Sequence, residues 1–236
     1  MELNYDFMLK TMLVVLGGVP VTLKITLVSL LVAAPISFFM ALVRIYEVKI
    51  LKQFVKVYVS FIRGTPMILQ ILVVYSLMPS LLNNAVKYFG WQVNVFEVDP
   101  IIYVYIVFSI NTIALLSEVF RSALLSVNEG QIEAGLSIGM SITQVYIRII
   151  IPQAMVAALP NLCNLAVNLI KNTSLAFLMT VKDITATGKI AASYGYNYIE
   201  AYMDVFVVYL VLCTIIQLLF KFAEEHVGAF RQLKYN

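Results

Sequence analysis

The chain has 236 residues, 61% of them hydrophobic and 12% charged, with 16 Lys and Arg against 13 Asp and Glu. A mean hydropathy of +0.91 excludes a soluble globular domain, because a water-facing exterior needs more polar surface than this composition supplies. The net charge of +3 sits in a few segments rather than on a basic face, which excludes nucleic acid as a partner and leaves lipid as the solvent.

Met1 to Lys10 is polar and acidic, so no cleavable signal peptide is expected. Asn4 to Lys10 is expected to lead along the outer surface into the first of five helical spans. These spans are predicted at Val19–Val43, Thr65–Leu82, Ile101–Leu116, Ala154–Ile170 and Val205–Phe220. A helix needs about 20 apolar residues to cross the bilayer. The last three cores are short, so they tilt little or extend into their flanks. The runs are too long and too uniform for barrel strands. The fold class is thus an all-α integral membrane protein, one transmembrane domain over residues 1–236. Lys24 is expected to snorkel from the first span, and Pro35 to kink it. Lys49 to Ile62 alternates lysines with apolar residues. It reads as an interfacial amphipathic helix or as the start of the second span. Asn83–Asp99 and Met179–Asp204 read as outer segments. Cys163 and Cys213 fall inside spans and read as packing residues, with no disulfide or metal pattern.

Lys and Arg set the orientation. The first connection carries Arg44, Lys49, Lys52, Lys56 and Arg63 against Glu47, whereas the second carries Lys87 against Glu97 and Asp99. The tail holds Lys221, Arg231 and Lys234. The first connection and the C-terminus are therefore expected in the cytoplasm and the N-terminus outside.

Residues 128–152 lie on that cytoplasmic side and read as two short amphipathic helices joined at Gly139 and Met140. Asn128 with Gln131, and Ser141 with Gln144, have capping-box spacing. Gly139 stands where a helix end wants positive φ. Pro152 suits the first turn of the next helix. A two-turn helix is unstable alone in water and needs a partner surface. That surface belongs either to its own spans, as in a plain loop, or to another protein.

Glu133-Ala134-Gly135, then Gly139, then Ile149-Ile150-Ile151-Pro152 resembles the EAA loop of ABC-importer permeases, with Gly135 for the usual alanine and Ile151 for the usual leucine. Arg63-Gly64-Thr65-Pro66, Glu118-Val119-Phe120-Arg121 with Gly130-Gln131, and Lys171-Asn172-Thr173-Ser174-Leu175 are similar to elements of the polar amino acid uptake branch. The resemblance spans about residues 10 to 225 and implies a type I ABC importer fold with 128–152 as a cytoplasmic coupling-helix hairpin. It implies that Gln131, Glu133, Ala134, Gly135, Ser137, Gly139 and Met140 face an ATPase. Glu133 would cap or pair there, Ala134 and Gly135 would permit close approach, and Gly139 would form the turn. The implied partners are two cytoplasmic ABC ATPase subunits, an extracellular or periplasmic solute-binding protein, and a second permease chain, identical or related. ATP and Mg would bind the ATPase. This chain would hold no cofactor and catalyse nothing, in a bacterial cell membrane.

Asn161, Asn164, Asn168 and Lys171 fall on one face of the fourth span at spacings of three, four and three. Amides and an ammonium are costly in lipid, so this face points into the bundle or a watery cavity. Pro160 loosens the backbone before it, and Asn172-Thr173-Ser174 disfavours further helix. The stripe is either interhelical hydrogen-bond glue or the lining of a translocation path, with Asn111 and Thr112 of the third span as candidate neighbours. Glu118 and Arg121 read as a structural ion pair. His226 in the tail has no catalytic role.

Three functions compete. The importer permease explains the hairpin. No Gly-x-x-x-x-Gly-Lys-Ser/Thr phosphate loop is present, so its energy comes from another chain. A dimeric secondary carrier or channel independent of ATP would want acidic relays in mid-membrane, and the spans hold almost none. A membrane enzyme would need a catalytic constellation, and none of the familiar motifs occurs.

Overall fold

The computed structural model describes residues 3–92 and 94–232, with side chains described as far as His226 in the last helix. Lys234, used above in the charge argument, lies outside the described residues, as does the side chain of Arg231. Secondary structure among the described residues is helical: α1 (Tyr5–Leu16), α2 (Val19–Ile45), α3 (Lys49–Gly64), α4 (Met67–Tyr88), α5 (Pro100–Leu125), α6 (Gly130–Ser137), α7 (Ile142–Val145), α8 (Ile151–Asn172), α9 (Ile184–Ser193) and α10 (Tyr198–Gln232). Five segments are long and apolar enough to cross a membrane: Tyr5–Ile45, Met67–Tyr88, Pro100–Leu125, Ile142–Met179 and Tyr198–His226.

These are the five expected spans, lengthened. The N-terminal lead-in is itself helical, because Asn4 Oδ1 accepts from the Phe7 N–H at 3.0 Å and caps α1. Gly17 and Gly18 separate α1 from α2. A Cβ on Gly18 would meet Ile184 N at 2.5 Å, so only glycine lets the start of α9 come this close. α2 continues through Pro35, and Lys24 is exposed on it.

Lys49–Gly64 forms a helix of its own rather than the start of the second span. Thr65 adopts extended backbone and Pro66 disfavours helix before it, so α4 starts afresh at Met67. Gln70 reaches back across this break. Its Nε2 donates to the Ile62 carbonyl at 2.9 Å and to Thr65 Oγ1 at 2.9 Å. The Asn83–Asp99 connection is shorter than expected, since α4 runs on to Tyr88 and a 3₁₀ turn covers Val95–Glu97.

The core sits between α2 and α5, the most intimately packed pair of helices. Ala33, Ser37 and Ala41 on α2 and Ala114 and Ser117 on α5 are buried. Small side chains let helix backbones approach where lipid gives no hydrophobic drive to associate. Ser37 Oγ donates to the Ile113 carbonyl at 3.0 Å and fixes the register. A second cluster joins α1, α8, α9 and α10 around Val15, Ile170, Ile184 and Val208. The Met179–Asp204 segment, read from the sequence as an outer segment, contains α9. Asp183 caps it by accepting from the Ala186 N–H at 2.8 Å and from Tyr209 O–H at 3.1 Å.

Candidate functional site

The hairpin lies between α5 and α8. α5 ends at a Ser126 cap, and the chain turns at Asn128, whose Oδ1 accepts from the Gly130 N–H at 2.8 Å. This local turn replaces the expected capping box with Gln131. α6 then runs for eight residues. Gly139 has φ of 82°, its N–H reaches the Leu136 carbonyl at 3.0 Å, and the Met140 N–H reaches the Gly135 carbonyl at 3.1 Å. These two bonds form a Schellman motif, which only a residue at ease with positive φ closes without strain. Ser141 and Gln144 then cap each other: Gln144 N–H donates to Ser141 Oγ at 3.3 Å, and Ser141 N–H to Gln144 Oε1 at 2.9 Å.

The second arm differs from the sequence expectation. α7 spans only Ile142–Val145 and passes through a π-helical turn, Tyr146–Ile150, directly into α8. Pro152 sits in the first turn of α8 without interrupting the path. The hairpin thus has one separate helix, α6, and one arm that is the end of a membrane-spanning helix.

Of the residues predicted to dock, Glu133, Ala134, Ser137 and Gly139 are exposed, and Gln131 and Met140 half-buried. Gly135 is buried and faces inward. A Cβ there would lie 2.6 Å from Val145 Cγ2, so its smallness serves the contact between the two arms. Leu136 and Ile138 project apolar surface beside Glu133, with Ile138 78% exposed. The hairpin is anchored by Val145, Ile150 and Ala154 against Ala41, Ala123 and Leu124, and by the Tyr146 ring, 6.0 Å from that of Tyr46.

The polar stripe runs along α8, which is unbroken through Pro160. The helix tightens to a 3₁₀ turn at Thr173–Met179, so the backbone is rewound there rather than opened. Asn161, Asn164, Asn168 and Lys171 are all exposed on the surface of this chain. Asn168 lines a cavity of about 280 Å³ with Asn111, Thr112, Asn172, Arg63 and Glu118. Asn161, Asn164 and Lys171 do not line that cavity. Asn111 is 8% exposed and its Nδ2 donates to Gln70 Oε1 at 3.0 Å, so it is tied to the break between α3 and α4.

Charge is concentrated where this cavity meets the foot of α3. The expected Glu118–Arg121 pair is present, with Arg121 Nε and Nη2 donating to Oε2 at 3.1 and 3.0 Å. Arg44 binds Oε1 of the same carboxylate, and Arg63 Nη1 lies 3.9 Å from it. Nothing in the sequence singles out Arg44 or Gln70, and Arg63 enters there only through its charge and the Arg63-Gly64-Thr65-Pro66 element. These partners are 41 to 74 residues away, and no local spacing reports them. Among the described residues no group of three His, Cys, Asp or Glu side chains is placed to hold a metal.

Comparison with known proteins bears on this arrangement. Residues 33–228 match the family described as binding-protein-dependent transport system inner membrane component. The chain is 34% identical over 208 residues to the L-cystine transport system permease protein TcyL of Bacillus subtilis (strain 168), covering 88% of this chain and 84% of that one. It is 35% identical over 217 residues to the probable amino-acid permease protein YxeN of the same organism, covering 92% of each. The fold superposes with a TM-score of 0.79 on a chain of an amino acid ABC transporter crystallised with histidines, at 26% identity over 96% of this chain and 100% of that one.

Proposed function

The chain belongs to the binding-protein-dependent transport system inner membrane components as the permease subunit of an ABC importer, and from that premise we propose that its cargo is a polar amino acid of the glutamine, arginine, histidine or cystine class, moved into the cytoplasm. Membership sets aside a carrier that works without ATP. The amino-acid and cystine permeases among its relatives support the cargo.

The observation that carries the mechanism is the hairpin. α6 is held by its Schellman turn and by Val145, and presents Glu133, Ala134, Leu136 and Ile138 outward, exposed among the described residues. In the proposed complex, residues 128–152 of the single permease domain act as the coupling loop and dock in an ABC ATPase, which alone binds ATP and Mg and performs the hydrolysis. Two permease chains, identical or related, flank a path to which Asn111, Asn161, Asn164, Asn168 and Lys171 contribute amides and an ammonium. The exposure of the α8 stripe supports this, since a polar face in lipid needs water or a partner. Nucleotide binding closes the ATPases, the hairpins approach one another, and the spans rock outward. An external solute-binding protein delivers the amino acid at the opposite end. The Lys and Arg excess between α2 and α4 supports an N-terminus outside and a C-terminus in the cytoplasm of a bacterial cell membrane.

Co-purification and reconstitution test this reading together. A tagged chain should retain an ATPase carrying a phosphate loop at about its own molar amount. Vesicles holding that complex and the binding protein should take up amino acid only with ATP inside. ATP-independent uptake by the permease alone would sink it.

A further inference from the structure

Glu118 offers two carboxylate oxygens to three guanidinium groups. Oε2 accepts both bonds from Arg121, and Oε1 is occupied by Arg44. Arg63 is the third claimant, at 3.9 Å. Its side chain is 55% exposed, against 16% for Arg44 and 32% for Arg121. The cluster therefore carries two positive charges more than Glu118 neutralises, and the surplus donors are those of Arg63.

The position of Arg63 gives that surplus a use. The cavity lined by Asn111, Thr112, Asn168 and Asn172 is lined also by Arg63 and Glu118. A second cavity, about 380 Å³, is lined by the same two residues together with Arg44, Lys56, Ser60 and Gly64. Arg63 and Glu118 are thus shared by a chamber that holds the asparagine amides and a cationic chamber at the end of α3. A guanidinium presents a planar fork of donors that fits a carboxylate with two parallel bonds. Its contact with Glu118 is too long to be such a bond, so releasing it costs little.

We propose that Arg63 is a carboxylate-binding residue for the solute in transit, exchanging its loose contact with Glu118 for the α-carboxylate of an amino acid passing between the two chambers. Asn168 and Asn172, which line the first cavity, supply amide oxygens to the solute's ammonium group. Glu118, kept in place by Arg44 and Arg121, reclaims Arg63 once the carboxylate has moved on. No covalent bond changes. The proposal deepens the importer reading and rests on it.

The test uses the complete importer in lipid nanodiscs, with Cys163 and Cys213 replaced by Ala and Leu115→Cys as reporter in the amide-lined chamber. Reaction rates are measured with two thiol reagents of similar size, anionic sulfonatoethyl methanethiosulfonate and cationic trimethylammonioethyl methanethiosulfonate. The anionic reagent should react faster. Arg63→Gln should lower the anionic-to-cationic ratio by about tenfold, the worth of one charge-assisted pair, and Arg63→Lys should keep most of it. In uptake assays Arg63→Gln should lose amino-acid transport by about tenfold while ATPase stimulation by loaded binding protein stays within about twofold. A ratio unchanged by Arg63→Gln, or uptake that falls only in step with ATPase activity, overturns the proposal. So does a reporter that reacts with neither reagent, because the chamber then admits no polar solute. If the unsubstituted importer moved no amino acid, the importer reading would fail, whereas the reagent ratio would still be measurable and would judge Arg63 alone.

Discussion

Gly135 and Val145 close the hairpin on itself: a methyl group added to the glycine would lie 2.6 Å from Val145 Cγ2. Valine in a helix has one strongly preferred rotamer and yields poorly. Gly135→Ala should therefore cost about 1–2 kcal/mol of overpacking, and Gly135→Leu should drive the two arms apart. The check is the amount of ATPase retained on a tagged permease. It should fall modestly for Ala and nearly vanish for Leu, with insertion in the membrane unchanged for both.

Gly139 holds φ of 82°. Gly139→Val imposes a left-handed backbone on a β-branched residue, a strain of order 1–3 kcal/mol. Nothing lies within 4 Å of the added Cβ, so the effect is conformational and not steric. ATP-driven uptake should drop sharply. Gly139→Asn, which tolerates this region, should recover most of it.

Glu133 is exposed and has no ion-pair partner among the described residues. Glu133→Ala should alter thermal stability of the isolated permease by no more than about 0.5 kcal/mol. Its retention of ATPase should nonetheless fall about tenfold, as for loss of a charge-assisted contact at an interface. Raising salt from about 0.1 M to about 1 M should weaken the unsubstituted complex and narrow the gap between the two.

Asn168 lines the amide chamber and Asn164 does not. Asn168→Ala should reduce uptake more than Asn164→Ala, with ATPase association intact in both. Equal, wild-type uptake in both variants would assign the stripe to packing between helices.

Gly18 faces backbone rather than side chain: its Cβ would meet Ile184 N at 2.5 Å. Gly18→Ala must push α9 from the α1–α2 junction, at about 1–3 kcal/mol. A fall in melting temperature without loss of ATPase binding would separate this defect from those in the hairpin.

The five spans were legible because bilayer thickness dictates their length and apolar content. The hairpin's turn was legible because Gly139, Ser141 and Gln144 act on their own neighbours. Three features were not. The continuity of α7 with α8 depends on a π turn at Tyr146–Ile150, and hydrophobic period carries no trace of one extra residue per turn. α9 was hidden because its cap, Asp183, stands among lysine, threonine and glycine in a stretch that reads as loop. The grouping of Arg44, Arg63 and Arg121 on Glu118 joins three helices, and only Arg121 is a sequence neighbour. The stripe on α8 was found by spacing, but its division into a cavity residue and outlying ones is set by what α5 packs beside it.

The uninterrupted run from Ile142 to Asn172 has a mechanical consequence. A loop between the two would absorb displacement as slack; a helix resists it, save where the π turn and Pro160 let it bend. At 1.5 Å per residue, about 40 Å separates Ile142 from Asn168, so the hairpin arm and the polar face lie at two ends of one helical run. The arm and the polar face are one crank.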